Sequence, residues 1–212
     1  MLDGLRRFLL KIFVRDEDKI LADLWDNKFK KSEIYYNARG TYKMDVRNLV
    51  VPRSNVLSPV ANKLSGSYDN KAIEALKYVR ANFTYKYDSN NYNEVEYWQH
   101  PEISLQKGSG DCEDGALLIA SILRNAGVPA YRLKVCAGWV KTANGKQGGH
   151  AYVIYLADDN CWYILDWCYY GNESEENFLK VQHKENIKYQ EIWWTFNDQY
   201  SWAQHTTELG KK

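Results

Sequence analysis

Residues 108–129 decide the fold and read GSGDCEDGALLIASILRNAGVP. Their apolar positions recur at i, i+3, i+4 and i+7, the spacing of one buried helix face: Ala116, Ile119, Ala120 and Leu123. Asp111 is a suitable N-cap, and Asp114 stands three residues later, in the capping-box position. Gly127 is typical of a helix C-terminus. The sequence therefore predicts a helix that begins beside Asp111, with Cys112 in its first turn.

Cys112 is a candidate nucleophile because of this place at the helix start. Unpaired N–H groups and the helix dipole favour negative charge there, which lowers the pKa of a thiol. The same N–H groups could bind the oxyanion that forms when a carbonyl is attacked. The flanking carboxylates of Asp111, Glu113 and Asp114 oppose the effect on the thiol, so they must cap the helix, point away or bind a cation. Taken alone, a cysteine at this position is more often a buried structural residue.

An antiparallel meander is predicted after the helix. Residues 131–139 alternate between apolar and polar side chains, as a strand with one buried face does. Turn signals at 144–145 and 158–160 separate this strand from two more, at 150–157 and 161–166. The predicted fold class is therefore α+β, with the nucleophile helix packed on an antiparallel sheet.

His150 and Asp166 are predicted to share one face of this sheet. If the turn between their strands is symmetric about Asp159, Tyr152 lies opposite Asp166 and His150 is the diagonal neighbour. A shift of two residues would place the pair directly opposite, and only an odd slip would separate their faces. A carboxylate that orients an imidazole, which in turn polarises a thiol, is the arrangement of a catalytic triad. Each residue alone has a structural explanation, but together they favour a site with Cys112 as nucleophile.

Several short motifs between residues 68 and 170 also belong together: Trp98-Gln99 followed by Pro101-Glu102, Gly110-Asp111-Cys112-Glu113-Asp114, Gly127-Val128-Pro129, Gly149-His150-Ala151 and Trp162-Tyr163-Ile164-Leu165-Asp166. In combination they resemble the transglutaminase-like superfamily, most closely its bacterial cysteine proteinases. The resemblance implies a papain-like α+β core with Cys112 as nucleophile, His150 as base and Asp166 as orienting group. It also implies Gln99 or Trp98 as candidate oxyanion donors.

The triad chemistry requires no cofactor, but the resemblance allows calcium. Some periplasmic members of the family bind calcium near the residues equivalent to this Asp-Cys-Glu-Asp run, so Asp111, Glu113 and Asp114 are candidate ligands. Helix capping and solvation explain the same three residues. Zinc is not indicated, because the four cysteines and His150 include no closely spaced pair of ligands.

Composition restricts the partners and the location. The net charge is +1 over 212 residues, so there is no electrostatic case for nucleic acid as the main partner. Residues 1–15 predict an amphipathic helix that docks on the protein's own core or on a partner, with a membrane-surface anchor as the alternative. No stretch is apolar enough to be a transmembrane segment. No signal peptide is visible, which favours the cytoplasm and leaves export by another route or association with a virion open.

Three segments follow from these patterns. Residues 1–67 are predicted to be an N-terminal helical and loop extension, because turn-forming residues interrupt any periodicity over 31–66. Residues 68–170 are the predicted catalytic core, which starts with a helix over 70–82. Residues 171–212 are rich in aromatic side chains and are expected to pack on the core as a C-terminal extension.

The leading functional hypothesis is a cysteine peptidase or amidase that acts on a protein or peptide. The Cys112 thiolate would attack an amide carbonyl to give a thioester, and His150 would protonate the leaving amine and then activate water. If an amine replaces water, the same site is a protein-crosslinking transglutaminase. The alternative from another class is a non-catalytic binding or assembly module, for example of a virus particle.

Overall fold

The computed structural model describes residues 30–38, 42–142, 144–169 and 188–203, so the helix predicted for residues 1–15 lies outside the described residues. The described α-helices are α1 (Ser58–Ala61), α2 (Tyr68–Asn82), α3 (Asp88–Asn91), α4 (Pro101–Lys107) and α5 (Cys112–Asn125). The described strands are β1 (Lys30–Lys31), β2 (Tyr35–Ala38), β3 (Tyr42–Asp45), β4 (Thr84–Tyr85), β5 (Ser109–Gly110), β6 (Leu133–Lys141), β7 (Gln147–Leu156), β8 (Trp162–Leu165), β9 (Tyr189–Phe196) and β10 (Ser201–Ala203). None of the helices in these ranges combines the length and the apolar character needed to cross a membrane.

Within the described ranges, six strands form an antiparallel sheet in the order β1-β10-β9-β6-β7-β8. Strands β6, β7 and β8 are the predicted meander, and β9 pairs with the other edge of β6. Helix α5 packs against this sheet through the main apolar cluster of the protein. The predicted α+β class, with the cysteine-bearing helix on an antiparallel sheet, is confirmed.

The sheet is buried on both faces, and this differs from the alternation predicted for residues 131–139. The strand runs over Leu133–Lys141 instead, because residues 130–132 form a 3-10 helix. A second apolar cluster covers the face turned away from α5 and includes side chains of β9 and β10. Even Lys134 is only 4% exposed, and its Nζ lies 4.2 Å from the ring centroid of Trp202. The alternating pattern therefore separates the two packed faces of β6 and does not separate core from solvent.

The helix predicted over 70–82 is present and begins two residues earlier, at Tyr68. Ser67 is its N-cap, because the Ser67 side chain accepts the Asn70 N–H at 3.2 Å. The chain then enters β4, which pairs in parallel with β5 and so brings the end of α2 beside the start of α5. The loop-rich prediction for 31–66 was wrong in part, because β2 and β3 pair there as a hairpin.

The aromatic residues near the C-terminus are part of the sheet. Phe196 on β9 and Trp202 on β10 are fully buried, and Trp194 packs at 5.2 Å from Trp98 between ring centroids. Between β9 and β10, Asp198 forms a bidentate ion pair with Arg124 of α5, at 2.8 and 3.0 Å. The division of the chain at residues 67 and 170 stays a prediction.

Candidate active site

The start of α5 is held in place by capping and by one tryptophan. Asp111 and Asp114 form the predicted capping box, in which the Asp111 N–H donates to Asp114 Oδ2 at 3.3 Å. The Trp167 indole lies against Gly115 so closely that a Cβ there would collide with it. Its Nε1 donates to the carbonyl oxygen of Cys112 at 3.3 Å. These contacts determine where the Cys112 side chain leaves the helix.

The Cys112 sulfur lies between a carboxyl group and strand β7. The thiol donates to Glu113 Oε2 at 3.2 Å, and the sulfur accepts the N–H of Ala151, the residue after His150. Burial raises the pKa of the thiol well above its usual range, and the charges of Glu113 and Asp111 raise it further. The opposition expected from the flanking carboxylates is thus present for Glu113 and Asp111, and burial adds to it, so the thiol pKa is raised although the cysteine lies at a helix N-terminus.

The register between β7 and β8 brings His150 to Asp166. The paired residues run from Val153 with Leu165 to Leu156 with Trp162, which is the register symmetric about Asp159. Continued past Leu165, this register makes His150 the diagonal neighbour of Asp166, which is the first of the two placements considered from the sequence. His150 Nε2 lies 2.6 Å from Asp166 Oδ2. This contact leaves Nδ1 as the ring nitrogen available to a thiol.

Asp166 collects hydrogen-bond donors on both carboxylate oxygens. Oδ2 also accepts the Tyr189 hydroxyl at 2.6 Å, and Oδ1 accepts the main-chain N–H groups of Cys168 and Tyr169 at 3.1 and 3.2 Å. Burial alone would raise the pKa of Asp166, but the His150 charge and these hydrogen bonds hold it below its ordinary value. Asp166 therefore stays ionised and keeps the His150 ring in one orientation.

His150 Nε2 thus contacts Asp166, and the Cys112 sulfur is hydrogen-bonded to the main chain at Ala151, the residue after His150. Aromatic rings lie near both the Cys112 end and the His150 end of this group. Tyr85 is 41% exposed and stacks on Trp167 with 5.7 Å between centroids, and the ring of Tyr169 lies 5.4 Å from that of His150. The roles of the three residues stay a prediction.

The two predicted oxyanion donors have other partners in this structure. Gln99 is fully buried, and its Nε2 donates to Asp114 Oδ2 at 2.6 Å and to the Ser109 carbonyl at 2.9 Å. Trp98 Nε1 donates to Glu96 Oε1 at 2.6 Å. Either residue would have to leave its partner before it could donate to a reacting carbonyl.

Five carboxyl groups lie together beside the thiol, and the sequence indicated only three of them. Ligand atoms of Asp88 lie within 4.8 Å of Asp111 and Asp114, and also of Glu96 and Glu113. One oxygen each of Asp88, Asp111 and Glu113 is buried without a hydrogen-bond partner. Sequence reasoning missed Asp88 and Glu96 because they precede the helix by about twenty residues and carry no motif of their own.

Burial raises the pKa of every member of this carboxyl cluster (Asp88, Glu96, Asp111, Glu113 and Asp114). The pKa rises to about 6 for Asp88 and to about 7 for Asp114. Burial raises the pKa of Glu113 well above its usual value, and the Asp111 carboxyl group adds to this effect. A group of oxygen ligands that is costly to ionise and incompletely hydrogen-bonded suits a hard cation such as Ca²⁺.

Comparison with known proteins identifies the family. The family model described as the transglutaminase-like superfamily matches residues 54–167, which is more than half of the chain. The chain therefore belongs to the transglutaminase-like superfamily, as the sequence motifs predicted. No match is found among curated proteins.

Several solved structures are similar. LapG from Legionella pneumophila is 20% identical, covers 72% of this chain and 90% of its own length, and has a TM-score of 0.48. The calcium-bound form of LapG, also at 20% identity, covers 72% and 88%, with a TM-score of 0.46. A Cytophaga hutchinsonii protein described as a candidate cysteine protease is 20% identical over 56% of this chain and 38% of its own, with a TM-score of 0.43.

Proposed function

We propose that the protein is a thiol-dependent acyl-transfer enzyme of the cysteine peptidase or amidase type. In this proposal Cys112 is the nucleophile, His150 the base and Asp166 the group that orients the base. The observation that supports it best is the 2.6 Å contact between His150 Nε2 and Asp166 Oδ2. The main-chain N–H of Ala151, the residue after His150, binds the Cys112 sulfur. Such a chain of thiol, imidazole and carboxylate is the general arrangement of an activated nucleophile.

The raised pKa of Cys112 makes the base essential. A thiol whose pKa lies well above neutrality is protonated at pH 7 unless a neighbour accepts its proton. His150 can accept it at Nδ1, because Asp166 binds Nε2 and stabilises the imidazolium that forms. The thiolate then attacks an amide carbonyl, and a carbon–sulfur bond forms. The N–H groups in the first turn of α5 are candidate donors to the oxyanion, with Gln99 and Trp98 as alternatives.

Collapse of this intermediate breaks the carbon–nitrogen bond, and the His150 imidazolium gives its proton to the leaving amine. The product is a thioester on Cys112. His150 next removes a proton from water, which attacks the thioester and releases the acid together with the thiol. If an amine enters in place of water, the product is a new amide and the reaction is transamidation.

The triad itself requires no cofactor, and we propose that the carboxyl cluster holds calcium. The three buried oxygens without partners and the all-oxygen donor set support this proposal. A bound calcium ion would supply positive charge that offsets the carboxylates around the thiol. Asp88 and Glu96 would then be ligands together with the predicted Asp111, Glu113 and Asp114.

Alkylation by iodoacetamide at pH 7, resolved for each cysteine by peptide mass spectrometry, tests the proposed triad. We expect Cys112 to react faster than the half-buried Cys161 and Cys168, and His150→Ala to slow it at least about tenfold. His100→Ala is the matched control, because His100 caps α4 and should not change the rate. Equal and slow reaction of all four cysteines would instead favour a non-catalytic module. An amide product in the presence of an added amine would identify a transglutaminase.

A further inference from the structure

Tyr189 reaches the site from outside the region that the family model matches. It is the first residue of β9, is 4% exposed, and lies 22 residues beyond the last matched residue, 167. Its main chain pairs with Val140 of β6, on the edge of β6 that does not pair with β7. Its hydroxyl nevertheless donates to Asp166 Oδ2 at 2.6 Å, and the same oxygen binds His150 Nε2.

We propose that Tyr189 is a positioning residue, whose hydroxyl holds the Asp166 carboxylate in the orientation that presents Oδ2 to the His150 ring. This inference rests on the proposed function, because it concerns the same Cys112, His150 and Asp166. Tyr189 does not touch the reacting atoms. It acts through Asp166.

The two oxygens of Asp166 are held in different ways. Oδ1 accepts main-chain amides of Cys168 and Tyr169, which are placed by the turn itself. Oδ2 accepts from two side chains, His150 and Tyr189, so its position depends on how firmly those side chains are held. A carboxylate that binds two donors on one oxygen has less freedom to rotate away from the imidazole than one that binds the imidazole alone.

The tyrosine ring is itself well supported. It packs edge to face against Tyr152 at 4.5 Å and against Tyr169 at 5.5 Å, measured between centroids. The ring of Tyr169 in turn lies 5.4 Å from that of His150. The hydroxyl thus belongs to a packed aromatic group that extends to the imidazole, and loss of the hydroxyl alone would leave the packing of the ring unchanged.

Other charged and titratable groups also face this pair. The Cys168 thiol lies 3.7 Å from Asp166 Oδ1, Arg80 donates to the Asp166 carbonyl at 2.8 Å, and the charge of His150 acts on the Asp111 carboxyl group. Among the described residues, the rings of Tyr152 and Tyr169 also lie beside His150. Replacement of Tyr189 by Phe leaves each of these groups in place, so a change in the titration of the site would report the missing hydroxyl.

The test is the pH dependence of Cys112 alkylation by iodoacetamide between pH 3 and 9 in the full chain. In Tyr189→Phe we expect a rate about tenfold lower at pH 7, as for the loss of one hydrogen bond to a charged group. We also expect the rate to fall off at a higher pH on the acid side of the profile, because Asp166 protonates more easily when one donor to its carboxylate is lost. Tyr163→Phe is the matched control, since it removes an equal 2.6 Å bond from a tyrosine to Asp159. We expect it to change neither quantity.

A rate and an inflection that coincide with those of the wild type would overturn the role of Tyr189. Labelling of the buried Cys136 in the same sample reports any opening of the fold. If Cys136 becomes reactive, the variant has partly opened, and the Tyr189 hydroxyl proton of the wild-type protein is then observed by NMR instead. A Tyr189 hydroxyl proton that exchanges as fast as one in water would overturn the inference, and a protected proton that shifts when Asp166 titrates would support it. If His150→Ala leaves the rate of Cys112 alkylation unchanged, the proposed function itself fails. That outcome differs from one in which only Tyr189→Phe has no effect, which would overturn the role of Tyr189 alone.

Discussion

Asp166→Asn changes the chemistry of one buried carboxylate oxygen and keeps the shape of the side chain. Oδ2 accepts from His150 and Tyr189, whereas Oδ1 accepts the main-chain amides of Cys168 and Tyr169. Because those amides have fixed directions, the asparagine oxygen should take the place of Oδ1 and turn its NH₂ group towards the ring. Nε2 of His150 must then accept a hydrogen bond, and the ring proton moves to Nδ1. The nitrogen that should receive the thiol proton is thereby blocked.

The expected magnitude follows from the contacts that are lost. A hydrogen bond to a charged group is worth about 1.5–3 kcal/mol. Since 1.4 kcal/mol corresponds to about a tenfold change, the rate of Cys112 alkylation at pH 7 should fall roughly 10- to 100-fold. Stability should change less, by about 1–3 kcal/mol, because the asparagine still satisfies the main-chain amides. In Asp166→Ala the same donors are left unpaired, and the loss should reach about 3–5 kcal/mol.

Two measurements separate these effects. Site-resolved alkylation gives the reactivity of Cys112, and urea denaturation gives the free energy of unfolding of both variants. We expect Asp166→Asn to lose reactivity while it keeps most of its stability. A variant that alkylates at the wild-type rate would refute the orienting role of Asp166. Equal destabilisation by asparagine and alanine would refute the assignment of the amides to Oδ1.

Three further predictions concern the surroundings of the site. Burial raises the pKa of Asp88 from 3.8 to about 6, so its neutral form stabilises the fold fully below about pH 4, and this contribution is lost as the pH rises through 6. Calcium should therefore raise the melting temperature more at pH 8 than at pH 5, and no gain at pH 8 would contradict the cation site. Gly115→Ala should destabilise the protein by about 1–3 kcal/mol in urea denaturation, because the new Cβ collides with Trp167, and an unchanged midpoint would disprove the close contact. Arg124→Met should cost about 3–5 kcal/mol, because the Asp198 carboxylate is left unpaired at 8% exposure, and the double variant with Asp198→Asn should recover part of that loss in a double-mutant cycle.

Much of the fold could be predicted because local signals were consistent with one another. The capping box at Asp111 and the apolar spacing after it predicted α5, and the structure begins that helix at Cys112. The short turn about Asp159 left few registers, so the diagonal placement of His150 and Asp166 followed from strand geometry. These features depend on residues close together in the chain, where backbone geometry limits the alternatives.

Contacts between distant segments could not be predicted in this way. The hairpin of β2 and β3 carries no clear alternation, and the second buried face of the sheet depends on strands β9 and β10. The positions of Asp88 and Glu96 beside the thiol depend on how the segment before α4 crosses the start of α5. No local periodicity encodes such a crossing.

The sequence by itself indicated the family through the resemblance of its short motifs, and it indicated the fold class through capping, periodicity and turn length, which are local properties of the chain. It also supplied the three candidate residues of the proposed triad. Only the tertiary structure decided the electrostatics of the site. It enclosed Cys112 between Glu113 and Ala151, so that burial raises the thiol pKa in spite of the helix N-terminus. It also brought the Tyr189 hydroxyl onto Asp166. Desolvation and hydrogen bonding depend on every group packed around a side chain, and those groups come from parts of the chain whose approach is set by the whole fold.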